Sequence, residues 1–241
     1  MKTAALTALA VLAAALPASA QEYRRLQDLS ADAGFRALSA AAASGRADAE
    51  RAAARARALS AALAAMNDGP EAGGRITAEL AALKTDVVFA AQAAPTTIAT
   101  VDGRRVILLS DALPATPRVY APLIAAEAAK GLYADMPECA ERAYMRAATA
   151  ARVFAELGGD FGALPKVDGD VVPAVQAAVA AWSTDAQSAL EDAARASGLP
   201  TLADLASAAK DAKTSAALED ANRRFVAFLL DERDARREAG R

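Results

Sequence analysis

The stretch Tyr120-Ala-Pro-Leu-Ile-Ala-Ala-Glu-Ala-Ala-Lys130-Gly131 organises the reading of the chain. Thr116 before it is a good N-cap residue, and Pro117 suits the first helical position, so a helix is expected from Pro117 to about Tyr133. At 100° per residue, Tyr120, Leu123 and Ile124 share one bulky apolar sector, and Glu127 falls inside it. Lys130 lies on the flank, one turn further on. A carboxylate within an apolar face is costly unless paired, protonated or bound.

The elements upstream are strands. Asp86 to Ala91 carries Val87-Val88-Phe89; Thr96 to Val101 and Arg104 to Ser110 are two more. Asp102-Gly103 between the last two is a two-residue hairpin signal, because a type I′ turn needs positive φ at both central positions. Val106-Ile-Leu-Leu109 shows no polar alternation, so that strand is expected to be covered on both faces.

Helices flank this centre. Leu26, Leu29, Phe35 and Leu38 mark one over Glu22 to Ala43. A second carries Ala52, Ala56, Leu59, Leu63 and Met66 at helical spacing, with Arg51 and Arg55 on its wetter side, and residues 21–66 read as a helical hairpin. Asn67 to Gly74 breaks the chain, and Ile76, Leu80 and Leu83 mark a short helix beyond it. Asp135-Met-Pro-Glu138 resembles a capping box for the next helix, which carries Cys139, Ala143, Ala150, Val153, Phe154 and Leu157 and ends at Gly158-Gly159. Residues 160–169 form a loop. Residues 170–241 carry C-terminal helices, one from Val172 to Ala189 and one opened by Thr201 with Asp204; the charged tail from Asp231 is expected to fray. The expected fold is α+β and predominantly helical, with a small three-stranded sheet packed on a helix pair.

Composition narrows the chemistry. Much of the 54% hydrophobic content is alanine, aromatics are 5%, and the net charge of −3 does not suggest a nucleic-acid partner. There is no histidine, which excludes Ser-His-Asp and Cys-His catalysis and removes the commonest zinc ligand. Cys139 is the single cysteine, so an intrachain disulfide is impossible; it is expected to be a buried small hydrophobe. Asp168-Gly169-Asp170 lacks the further ligands of a calcium loop and reads as a turn. Lys2, the apolar run Ala4 to Leu16 and Ala18-Ser19-Ala20 read as a signal peptide over residues 1–20, so a secreted or periplasmic protein is expected, with no integral membrane segment after cleavage.

The order helix, strand, hairpin, long helix, short loop, helix over residues 75–159 resembles the core of zincin-like metallopeptidases, the H-E-x-x-H family. Ala126-Glu127-Ala128-Ala129-Lys130 sits where that motif would be, and Glu141 stands where the glutamate-ligand branch supplies a third metal ligand. In the motif two histidines hold zinc and the glutamate activates water. Ala126 and Lys130 replace the histidines; alanine cannot bind zinc and a protonated lysine repels it. The resemblance therefore implies a degenerate, metal-free, non-catalytic relative without a cofactor. Its implied role is to bind a peptide, a protein or a cell-envelope component. Two arrangements of Glu127 are open: a pair with Lys130 on a partly exposed helix, or a cluster of Glu127, Lys130 and Glu141. Two other functions stand beside this one. The chain could be an alanine-rich helical interaction protein, or a histidine-independent hydrolase with Glu127 as general base.

Overall fold

The structure is a computed structural model that describes residues 46–69, 71–167, 170–171 and 198–238, with the single positions 175, 176, 188, 190 and 192. The expected signal peptide, the helix of Glu22 to Ala43 and most of the helix of Val172 to Ala189 lie outside the described residues. The described chain is α+β and predominantly helical.

Helix α1 spans Arg46–Asn67, α2 Ala72–Ala82, α3 Pro117–Leu132, α4 Ala140–Glu156, α5 Leu202–Ala208 and α6 Ala212–Glu238. Strands β1 (Asp86–Ala90), β2 (Thr96–Val101) and β3 (Arg104–Ser110) form one sheet in the order β1-β3-β2. β3 runs parallel to β1 and antiparallel to β2. Short strands β4 (Lys166–Val167) and β5 (Asp170–Val171) pair antiparallel.

Local chemistry explains the sheet. Asp102 and Gly103 take φ of 51° and 76°, the positive pair that the hairpin requires. β3 is the central strand, and Val106, Ile107 and Leu109 are buried, as an unbroken apolar run should be. The link from β1 to β2 crosses the end of β3 and is pinned by Gln92. Its side chain donates to Leu108 O (3.1 Å) and accepts from Thr97 Oγ1 (3.0 Å), and its carbonyl accepts from Ser110 Oγ (2.8 Å).

Helix α3 is the axis of the core. Val119, Tyr120, Leu123, Ile124 and Ala125 are fully enclosed, and the Phe89 ring meets Tyr120 edge-on at 5.3 Å. Thr116 occupies the N-cap position and Pro117 the first turn, although the Thr116 side chain makes no capping bond. α1 lies across α3 and α2 through Ala58, Leu59, Ala62 and Met66. α2 ends in a Schellman arrangement: Thr85 N donates to Leu80 O and Lys84 N to Ala81 O, with Lys84 at φ 48°, where glycine is usual.

Three sequence expectations need correction. The single last helix expected from Thr201 is two, α5 and α6, parted at residues 209–211. α4 opens at Cys139, not at Asp135-Met-Pro-Glu138. Asp135 instead pairs with Arg224, and Glu138 with Arg142 at 2.7 Å, so both carboxylates find cations outside a capping box. The segment from Asp231 to Glu238 also does not fray; it continues α6 as helix. Its first two carboxylates turn inward, and Asp231 reaches Arg152 at 2.7 Å.

Candidate functional site

Glu127 is buried and lies 2.5 Å from the Lys130 ammonium through Oε2, an i,i+3 pair whose lysine side chain is 36% exposed. The contact lies off the hydrogen-bond direction, so it is an ion pair without a formal hydrogen bond. Arginines gather around the same end of α3. Arg142, from α4, donates to Lys130 O (3.2 Å), a carbonyl that the helix end leaves open, and Arg105, from β3, donates to Glu127 O (3.3 Å) one turn further in. Arg142 also donates to Met136 O (3.2 Å), which ties the α3–α4 turn together. Arg146 faces Glu127 and Glu138; burial pulls its guanidinium below the usual value, and the two carboxylates oppose that. Ala126 is partly buried against the core.

The structure thus brings Glu127 and Lys130 together and sends Glu141 elsewhere. Glu141 is 5% exposed, and its Oε2 accepts from Leu202 N at 2.9 Å, at the start of α5. A carboxylate there meets an open N–H and the positive end of the helix dipole. Thr201 and Asp204 complete a reciprocal capping box at that helix start. Glu141 therefore acts as a tertiary clamp, a role its place opposite the bulky stripe of α4 did not reveal. Among the described residues, no group of three or more His, Cys, Asp or Glu is placed to hold a metal ion.

Cys139 is buried beside Glu141, and burial pushes its thiol up to about 11, with the neighbouring carboxylate adding to the effect. It stays protonated at neutral pH, and a thiol is a poor nucleophile.

A second polar centre escaped sequence reading. Arg152 on α4 is 7% exposed and gathers carboxylates from three directions: Glu71, Asp231 at 2.7 Å and Glu156 at 3.8 Å. Glu156 in turn accepts from Ala72 N (2.8 Å) and Gly73 N (2.9 Å), capping α2 from more than 80 residues away. Both terminal glutamates of α4 thus plug the starts of other helices. Beside Arg152 a cavity of about 10 Å³ is lined by Arg75, Tyr133, Thr149, Phe228 and Glu232. That is room for about one water. Tyr133 Oη and Thr149 Oγ1 share a hydrogen bond of 2.9 Å on its wall. A lone charged residue within a helical pattern is normally read as solvated, so the only available signal was the density of charge in Asp231-Glu232-Arg233.

No protein-family model, no curated protein and no solved structure matches this chain. The resemblance to metallopeptidases gains no support from these comparisons.

Proposed function

We propose that this chain is a non-catalytic binding protein that takes an extended peptide segment of a cell-envelope protein along the outer edge of β2. The observation that carries the reading is the register of that strand. Pro95 O accepts from Ser110 N, and Thr96 faces Leu109, so Thr97, Ala99 and Val101 direct their backbone groups toward β3. Thr96, Ile98 and Thr100 direct theirs outward, and among the described residues no strand pairs with that edge. An extended peptide can add there by backbone pairing alone, without metal or nucleophile. On this reading the face of α3 that the resemblance assigns to zinc is held by the Glu127–Lys130 pair, and the protein is secreted or periplasmic.

The test is a selection of random peptides displayed on phage against the immobilised protein, followed by Thr100→Pro. Thr100 is exposed, and its N–H points away from β3, so proline removes an outward donor and leaves the sheet paired. Selected peptides should lose about tenfold or more in affinity, since one hydrogen bond and the approach of the strand are lost together. Binders indifferent to Thr100→Pro, or no binders at all, would refute the reading.

One observation favours a different binding mode. Val226 and Leu230, one turn apart on α6, are 47% and 48% exposed, as an interaction helix would present them. Peptides sensitive to Leu230→Lys and not to Thr100→Pro would move the site to α6.

A further inference from the structure

Glu232 is 2% exposed, and neither of its carboxylate oxygens accepts a hydrogen bond among the described residues. Arg236 Nε lies 3.8 Å from Oε2, too far for one. The carboxyl borders the small cavity already described. The groups facing it come from every neighbouring element: Arg75 from α2, Tyr133 after α3, Thr149 and Arg152 from α4, and Asp231 and Arg236 from its own helix.

The charges there are already matched without it. Arg152 is engaged by Glu71, Asp231 and Glu156, and Arg75 lies 3.8 Å from Asp231. These two guanidinium groups already face three carboxylates, and Arg236 reaches Glu232 only at 3.8 Å. An ionised Glu232 would add a fourth negative charge, desolvated and without a hydrogen-bond donor, and such a charge is expensive. A protonated Glu232 removes that excess.

We propose that α6 is a proton-operated latch: residues 225–238 dock on α4 while Glu232 carries a proton, and loss of that proton releases them. Docking rests on an aromatic seam and on the Asp231–Arg152 ion pair. Phe225 and Phe228 meet Tyr144 edge-on at 6.1 and 6.3 Å, and Phe228 meets Tyr133 at 6.0 Å. Release lets Glu232 reach water and uncovers this seam, so the apolar face of α6 becomes available only in the released state. Burial pushes the Glu232 carboxyl up to about 7 from an ordinary 4.5; Arg236 and Arg152 pull it down, and Asp231 pushes it up. The docked state therefore favours the acid over the carboxylate by about 300-fold relative to a solvated glutamate. The latch is closed in acidic surroundings and loosens as pH rises from about 4.5 toward about 7.

The test is carbon-detected NMR of the glutamate carboxyl groups in the full chain, with amide exchange followed on the same samples from about pH 5 to about pH 8.5. The Glu232 signal should titrate near neutrality. Over the same interval, amides of residues 225–238 should lose protection by about tenfold or more after correction for intrinsic exchange, while those of α3 keep theirs. In Glu232→Gln the protection should persist at the alkaline end. A Glu232 carboxyl that titrates among ordinary glutamates would overturn the proposal. So would an α6 that stays protected after Glu232 has ionised, and the wild-type titration decides both points even if the variant fails to fold.

Discussion

Two adjacent glycines in α2 should respond to the same substitution with opposite signs. Gly73 and Gly74 both lie in the first turn of the helix. A Cβ at Gly73 would stand 2.4 Å from Met66 O and 2.8 Å from Met66 Cα, both backbone atoms at the end of α1. Backbone cannot rotate out of the way as a side chain can. At Gly74 the nearest atom is Gly69 O at 3.6 Å, an ordinary contact. Alanine is favoured over glycine in a helix by about 0.8–1.0 kcal/mol, so Gly74→Ala should stabilise by something under 1 kcal/mol. Gly73→Ala gains the same helix term but must separate α1 from α2 by about 1 Å. Overpacking of that kind typically costs about 1–3 kcal/mol. The separation also weakens the Glu156 bonds to Ala72 N and Gly73 N, and losing a cap costs about 1 kcal/mol. The net expectation is a destabilisation of about 1–3 kcal/mol. Urea unfolding followed by far-ultraviolet circular dichroism measures both variants against the parent. If Gly73→Ala matches the parent in midpoint, or if both glycines shift stability in the same direction, the close approach of α1 and α2 is wrong.

Other expectations concern single side chains. Lys84→Gly should stabilise the protein by about 1 kcal/mol, because φ 48° is strained for lysine and easy for glycine; an unchanged urea midpoint would contradict this. A double-mutant cycle with Glu127→Gln and Lys130→Met should give a coupling of only about 0.5–1 kcal/mol, since the lysine side chain is 36% exposed and solvent screens the pair; a coupling of several kcal/mol would mean a far drier site. The Glu232 carboxyl makes stability pH-dependent. The folded chain keeps a proton that the unfolded chain releases near 4.5, so this contribution is fully present below that pH and is lost as pH rises toward about 7. The loss is on the order of 3 kcal/mol, and Glu232→Gln should flatten the profile; a parent profile that is level from weakly acidic to neutral pH would refute it.

The part of the fold that could be read in advance is the part decided by neighbours in sequence. Asp102-Gly103 can close only a tight hairpin, so β2 and β3 keep the bounds that the residues set on either side. Pro117 opens α3 because its ring already holds a helical φ, and the apolar run of β3 placed that strand at the centre of the sheet. Even the Glu127–Lys130 pair follows from helical spacing. The roles of Glu141, Glu156, Arg152 and Glu232 do not. Each meets a partner or an environment from distant parts of the chain: Glu141 at Leu202, Glu156 at Ala72, Arg152 at Glu71 and Asp231, and Glu232 among α2, α3 and α4. Helical periodicity assigns a charged residue to the wet side because water is the default partner of a charge. Which charges lose water is settled only when packed helices bring open N–H groups or guanidinium groups within a few ångströms, and that apposition exists in the folded molecule alone.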